Sequence, residues 1–172
     1  MEVQNSKIGI YTSHFSDYIK LVENEDLKTV LENQMKESSE LFKSVPKEKL
    51  LYRYAENKWS IKEVIQHLID TERIFSYRAL AFSRGDINIL PMMDENSYAK
   101  NSNADRREGN ELIDEFTAVR KSTISLFNSF SPEQLKGVGK VSDYRMSSNA
   151  MGYTIAGHLA HHLNIIRERY LN

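Results

Sequence analysis

The chain contains no cysteine, which excludes disulfide bonds, thiolate metal ligands and catalysis by a cysteine nucleophile. It also lacks an apolar run long enough to cross a bilayer, and its first residues do not resemble a secretory signal. Neither sign of charge prevails, because 23 basic and 24 acidic side chains leave a net charge of −1. Without a basic surface field, nucleic acid and membranes are poor candidates for partners. A soluble, cytoplasmic protein is therefore predicted.

Glycine and proline are scarce, with only 7 and 3 residues, so little interrupts the helical spacing of the apolar side chains. The 172 residues are enough for one domain, 1–172, with its core in about 25–171. Asn24 is the expected N-cap of the first helix, and Ser60 with Glu63 forms a capping box before the second. The four predicted long helices cover about 25–45, 61–84, 108–130 and 148–171.

The connections between these helices differ in length. About twenty residues, 85–105, separate the second and third helices, which is long for a compact domain. A helix of about 25 residues is ~37 Å long, and twenty extended residues can return along it. The second and third helices can therefore run parallel in a crossover bundle. Segment 131–135 is expected to add one helical turn, whereas 136–148 and the residues before the first helix are expected to be irregular.

Three of the five histidines lie in the segment AGHLAHHLNII, residues 156–166, on the predicted buried side of the fourth helix. His158 and His162 are four residues apart, so their side chains project side by side, about 6 Å apart along the axis. This spacing suits two imidazoles that share one ion at about 2.0–2.1 Å. Gly157 indicates that a neighbouring element comes close to this helix, since an interior glycine otherwise costs up to ~1 kcal/mol.

The candidates for a third ligand are His14, in the irregular N-terminal segment, and His67, at the edge of the buried face of the second helix. His67 is preferred, because bundles draw ligands from facing helices. Three histidines with an open position are typical of catalytic zinc rather than structural zinc. The alternative is that these histidines are core residues that hydrogen-bond to backbone or carboxylate groups. Leu159 stands where the HExxH motif of zinc proteases has its glutamate, so that class is excluded.

Three blocks of sequence carry a family resemblance: KWSIKEVIQHLIDTERIFSYRALAFSRGD (58–86), LPMMDENSYAKN (90–101) and GYTIAGHLAHHLNIIRERYL (152–171). Together they resemble the DinB/YfiT-like superfamily of metal-dependent enzymes, relatives of the bacillithiol S-transferases. The family's ligand pattern is a tryptophan-serine entry to a helix with one histidine, followed by a late HxxxH. In this chain the pattern falls on His67, His158 and His162.

The resemblance implies an all-α, four-helix bundle of up-down-down-up topology, often a homodimer. It implies a divalent cation, commonly nickel or zinc and sometimes iron or manganese. Relatives include S-transferases that use bacillithiol, mycothiol or glutathione, a maleylpyruvate isomerase, and proteins classed as hydrolases. The implied function is therefore thiol S-transfer or hydrolysis on a small electrophilic substrate, the first with a low-molecular-weight thiol. Two alternatives stay open, a non-catalytic stress-response protein that binds metal or a small ligand, and a bundle whose main role is dimerisation.

Other residues are candidates for supporting roles. Asp70 and Glu72 are close enough in sequence to orient a ligand histidine, although surface ion pairs with Arg73 and Lys62 are the alternative. His161 is expected to be exposed to solvent, and the alternatives are a position next to the metal-binding histidines or on a dimer face. Loop residues often build binding sites, although ordinary packing is the alternative here too. The candidates for the pocket wall are Asp94, Tyr98, Tyr144 and Arg145.

Overall fold

The four predicted long helices are present in the computed structural model, which describes residues 1–172. Two short strands and a short helix precede them, and two further strands and another short helix lie between the third and fourth. In chain order the elements are β1 (Glu2–Asn5), β2 (Gly9–Thr12), α1 (Ser16–Lys20), α2 (Leu27–Ser44), α3 (Ile61–Ser83), β3 (Ile89–Leu90), α4 (Glu95–Asn101), α5 (Gly109–Asn128), α6 (Pro132–Leu135), β4 (Val138–Val141), β5 (Tyr144–Ser147) and α7 (Ser148–Ile165), with Ile166–Leu171 as a π-helical continuation of α7.

Side chains at the helix starts satisfy the free N–H groups there. Ser60 and Glu63 form the expected capping box at α3. The N-cap of α2 is Asp26 rather than Asn24, because the Asp26 carboxylate accepts the backbone N–H of Thr29 at 3.0 Å. The prediction for Asn24 was therefore wrong by two residues.

The bundle has the predicted up-down-down-up topology, in which α2 and α3 each pack against both α5 and α7. Helices α2 and α7 run in the same direction, α3 runs opposite to α7, and α5 runs parallel to α3. The contacts that fix these directions are Tyr153–Glu25 and Arg167–Glu37 for α2 and α7, Ser148–Ala79 and Tyr170–Trp59 for α3 and α7, and Ser76–Thr123 and Lys62–Arg107 for α3 and α5.

The segments expected to be irregular contain short regular elements instead. Strands β1 and β2 form an antiparallel hairpin ahead of α1. Residues 136–148 contain the antiparallel pair β4 and β5, and β3 from the long connection joins β4 in parallel. These strands have at most four residues, which is too short for an alternating apolar pattern to show. The same connection contains α4, so it is ordered rather than a plain crossover loop.

The core consists of two apolar clusters, one toward each end of the bundle, with a buried polar layer between them. The layer includes Gln34 on α2, Glu72 on α3 and Arg120 on α5. On α7 the layer begins at the carbonyl of Ala156 and continues to His158. None of the helices combines the length and the apolar character that a membrane crossing requires.

Candidate metal centre

The antiparallel packing of α3 against α7 brings His67 next to His158 and His162. His67 Nε2 lies 3.0 Å from His158 Nε2, and His162 Nε2 lies 3.1 Å from the same atom. One ring nitrogen from each of the three residues lies within 4.8 Å of the others. The three predicted ligands therefore meet at one point, two from consecutive turns of α7 and one from α3.

These histidines are neutral at pH 7. His67 and His158 are buried, and His162 is half-buried. Burial lowers the pKa of His67 from 6.5 to about 4. The pKa values of His158 and His162 lie well below 6.5, mainly because of burial and then because of the neighbouring histidines. A neutral imidazole keeps one lone pair, which is the form that binds metal.

The donor set fits a divalent cation better than it fits hydrogen bonding among the rings. A neutral imidazole nitrogen carries either one proton or one lone pair, so His158 Nε2 cannot pair fully with both neighbours. Nitrogens that share an ion at about 2.1 Å are at most about 4.2 Å apart, and the two short separations of 3.0 and 3.1 Å satisfy this limit. All-imidazole donors suit zinc, nickel and iron.

Thr71, one turn after His67, orients the His67 ring. Its hydroxyl oxygen lies 3.4 Å from His67 Nδ1, and its O–H points to the sulfur of Met93 at 3.8 Å. In the tautomer that binds metal through Nε2, the proton is on Nδ1, and the Thr71 oxygen is placed to accept it while its own O–H points to Met93. The contact is therefore compatible with an Nε2 lone pair directed at the other two histidines.

Neither Asp70 nor Glu72 hydrogen-bonds to a histidine, so the role expected for them is not supported. Asp70 accepts a hydrogen bond from Gln66 at 2.9 Å. Glu72 lies about 140° around α3 from His67, so it faces α5 and pairs with buried Arg120 at 2.8 Å. The alternative of surface ion pairs is also wrong for Glu72, since that pair lies in the core.

A cavity of about 220 Å³ opens onto the three histidines. Aromatic rings form much of its wall, and the Trp59 ring lies 4.6 Å from that of His67, centre to centre. Phe15 and Tyr18 of the N-terminal segment also line the cavity, although this segment was predicted to lie outside the core. This segment reaches the centre because Gly157 has no side chain, and a Cβ there would overlap the carbonyl of Tyr18. The close approach predicted from Gly157 is confirmed.

The four residues expected in the wall do not line this cavity. Three other residues of the long connection between α3 and α5 line it instead, Met92, Met93 and Glu95. Asp94 caps α4, and Tyr98 lines an adjacent cavity of about 150 Å³. Tyr144 stacks on His14 with ring centres 6.3 Å apart, whereas Arg145 pairs with Glu2 at 3.5 Å. The long connection was thus the right segment, but the sequence does not show which of its side chains face inward.

His161 lines the cavity, whereas it was expected to be exposed. It is half-buried, and its ring meets that of Tyr18 edge-on with centres 5.1 Å apart. The expectation was wrong because it considered the bundle alone, and the N-terminal segment covers this side of α7. His14 also lines the cavity but does not belong to the three-histidine cluster.

Comparison with known proteins gives the class. A family model of the DinB superfamily matches residues 31–166, so the chain belongs to the DinB superfamily. The structure is similar to that of YfiT from Bacillus subtilis, described as a probable metal-dependent hydrolase with an unusual four-helix bundle topology. The two chains are 17% identical and align over 95% of this chain and 91% of YfiT with a TM-score of 0.62, which shows a common fold. None of the curated proteins matches the chain.

Proposed function

We propose that the chain is a metal-dependent enzyme in which His67, His158 and His162 bind a divalent cation. The proposed reaction is transfer of a thiol to a small electrophilic substrate, or hydrolysis of that substrate. The observation that carries the proposal is the convergence of three neutral imidazoles from two helices beneath an open cavity. The description of YfiT as a metal-dependent hydrolase supports it.

Nickel and zinc are the first choices for the cation, with iron next. Imidazole ligands suit these three metals, whereas manganese, the remaining candidate, prefers oxygen ligands. A structural zinc site has four protein ligands, while three ligands beside a cavity leave room for a substrate. This difference favours catalysis over the alternative of a metal-binding stress-response protein without turnover.

A divalent cation here would polarise an electrophile and favour the deprotonated form of a coordinated water or thiol. The chain's own residues prepare the site for it. Burial keeps the ligand imidazoles neutral, and the Thr71 hydroxyl oxygen, 3.4 Å from His67 Nδ1, can accept a proton from that nitrogen. The rings of Trp59 and Phe75 limit the access of water to the histidines.

Metal analysis of protein purified without a histidine tag tests the centre. Wild type is expected to retain about one equivalent of nickel or zinc after dialysis, since all three ligands are in place. His67→Ala is expected to lose it. His14→Ala is the matched control, because His14 lines the same cavity outside the cluster. Equal metal content in wild type and His67→Ala would refute the assignment of ligands.

An activity panel tests the reaction. The metal-loaded protein is assayed with glutathione, bacillithiol and mycothiol against a halobimane, and separately with small esters and amides in water. Turnover that disappears in protein stripped by a chelator and returns with nickel or zinc is expected. Full metal occupancy without turnover on any of these substrates would favour the non-catalytic alternative. The homodimer and the cytoplasmic location stay predictions.

A further inference from the structure

Two arginines of the bundle are buried, and they differ in what they contact. Arg120 is fully buried and makes two hydrogen bonds to Glu72, at 2.8 and 3.1 Å. Arg78 is 4% exposed and forms no ion pair. Its one hydrogen bond to the protein runs from Nη2 to the carbonyl of Pro91, at 2.6 Å.

Arg78 lines the cavity above the three histidines. On α3 it follows His67, Thr71 and Phe75 at intervals of four, four and three residues, so these four side chains share one face of the helix. The guanidinium carbon lies 5.4 Å from the centre of the Phe75 ring, which is 6.2 Å from that of His158. The order along the wall is therefore histidines, aromatic ring, guanidinium.

The surroundings of Arg78 contain no group that neutralises it. A guanidinium stays charged and has five N–H donors, of which one is used here. The acidic residue elsewhere in the wall, Glu95, is exposed and forms no ion pair with Arg78. Burial lowers the pKa of the guanidinium, and the phenols of Tyr144 and Tyr98 oppose this effect in part. A buried charge without a partner is costly, so this arrangement favours an anionic ligand.

We propose that Arg78 is the anion-binding subsite of this cavity and that its ligand is a small molecule with a carboxylate at one end. The Arg fork matches a carboxylate with two parallel hydrogen bonds. The Phe75 ring stacks on Arg78 and lies between the guanidinium and the histidines, so the middle of the ligand is expected to be apolar or aromatic. As a statement about substrate, the inference rests on the proposed function, because the other end of the ligand then reaches the metal-binding histidines. Either the electrophile or the thiol supplies the carboxylate.

Binding measurements on metal-free protein test the subsite, because a carboxylate cannot then bind to the cation. The probes are 4-methylbenzoate and 4-methylbenzamide, which share a shape but differ in charge, measured by isothermal titration calorimetry. Wild type is expected to prefer the benzoate by roughly ten- to a hundredfold. Arg78→Met is expected to remove the preference without changing benzamide binding. The matched control is Arg84→Met, an exposed arginine at the end of the same helix, which stacks on Phe130.

Two results would overturn the subsite. One is equal binding of the two probes to wild type, which needs no variant. The other is an unchanged preference in Arg78→Met with a circular dichroism spectrum like that of wild type. If Arg78→Met does not fold, Arg78→Gln replaces it. It keeps two N–H donors but not the charge, and is expected to lose most of the preference, so a preference equal to wild type would count against the subsite.

A second pair of probes identifies the source of the carboxylate. Glutathione is compared with its diethyl ester, which lacks both carboxylates, on wild type and Arg78→Met. An Arg78-dependent preference for free glutathione assigns the subsite to the thiol, whereas a preference seen with the benzoate pair alone assigns it to the electrophile. The metal assay separates the two proposals. A missing metal with an intact benzoate preference refutes the proposed function, while full metal occupancy without the preference refutes the subsite.

Discussion

The second ring nitrogen of His67 is fixed by a hydroxyl rather than by a carboxylate. The Thr71 oxygen is placed to accept a proton on Nδ1 while its O–H points to Met93, which fits the tautomer with a free Nε2 lone pair. A neutral partner of this kind orients the ring without adding negative charge to the site. Three histidines without acidic partners would leave the full charge of a bound cation in the cavity.

Thr71→Val tests this role, since it removes the hydroxyl and keeps the shape. The affinity for nickel or zinc is expected to fall roughly ten- to a hundredfold, because the His67 ring loses its orienting partner. Competition with a chromogenic chelator measures the change. Thr154→Val is the matched control, because the Thr154 hydroxyl is also buried but bonds to the carbonyl of Ala150. An equal loss of affinity in both variants would contradict the role of Thr71.

The lowered pKa of His67 predicts a pH dependence of the metal-free protein. Between about pH 6.5 and about pH 4 the unfolded chain binds a proton on residue 67 that the folded chain does not. The free energy of unfolding therefore rises with pH through this window and falls as the pH is lowered, by up to roughly 3 kcal/mol for this residue. His158 and His162 act in the same direction.

Urea denaturation at intervals from pH 4 to pH 7.5 measures this dependence. Other groups also titrate, so wild type is compared with His67→Gln in how steeply the free energy of unfolding changes with pH. The variant is expected to show a smaller change between about pH 4 and about pH 6.5. Identical slopes would mean that residue 67 does not titrate differently in the folded and unfolded states.

At the residue scale, the sequence was informative wherever spacing along one helix decides the outcome. His158 and His162 lie four residues apart on one face of α7, and His67 lies on the face of α3 that packs into the bundle. The sequence was uninformative wherever a side chain's direction depends on a distant element. Thr71 and Arg78 are ordinary helical residues until Met93 and the cavity are placed beside them.

At the element scale, contact between α1 and α7 places the N-terminal wall of the cavity. The backbone at Tyr18 lies directly against Gly157, and the Tyr18 ring meets that of His158 edge-on with centres 5.4 Å apart. The short helix α1 can therefore pack next to the three histidines because residue 157 of α7 is a glycine.

Gly157→Ala is expected to destabilise the protein by about 1–3 kcal/mol, because the added methyl overlaps backbone that cannot turn aside. Chemical denaturation measures the loss, and a lower affinity for cavity ligands should accompany it. Gly109→Ala is the matched control at the first residue of α5, where the methyl meets a movable Leu50 side chain at 3.0 Å. That variant is expected to stay within about 1 kcal/mol of wild type. Equal effects in the two variants would remove the special role of Gly157.

The sequence also predicted elements unevenly. Long helices carry both a period and end signals, and Ser60 with Glu63 marked the start of α3 correctly. Strands β3 to β5 carry neither. Each has four residues or fewer, and β3 depends on pairing with β4, a segment distant in sequence. Gly139 in β4 lies against the ring of Phe82, a contact that no local pattern announces.

At the scale of the whole molecule, one buried network joins all four helices of the bundle. Arg120 on α5 binds Glu72 on α3 and donates to Gln34 on α2 at 3.3 Å. Gln34 in turn donates to the carbonyl of Ala156 on α7 at 2.9 Å. The network lies between the two apolar clusters and beside the histidines, so it fixes the relative position of the helices that supply them.

Glu72→Ala is expected to lower the free energy of unfolding by about 3–5 kcal/mol, since it leaves the Arg120 charge buried without a partner. The double variant Glu72→Met, Arg120→Met is expected to lose less, because it removes both charges. Glu37→Ala is the matched control, since its pair with Arg167 is exposed and should be worth less than about 1 kcal/mol. Equal losses in Glu72→Ala and Glu37→Ala would show that the network does not hold the bundle together.

The network could not be predicted, although each member was visible. Glu72 and Arg120 lie 48 residues apart, and nothing in the sequence shows that they meet rather than face solvent. The proximity of Glu72 to His67 along the chain suggested a different partner. The pairing can be predicted only once the packing of α5 beside α3 is known.

The position of Tyr18 against Gly157 places part of the cavity wall outside the stretch that matches the family model. The three histidines and Arg78 lie within residues 31–166, whereas Phe15 and Tyr18 precede them. Exchange of roughly the first twenty residues would therefore reshape one side of the entrance, while the three histidines and Arg78 kept their scaffold.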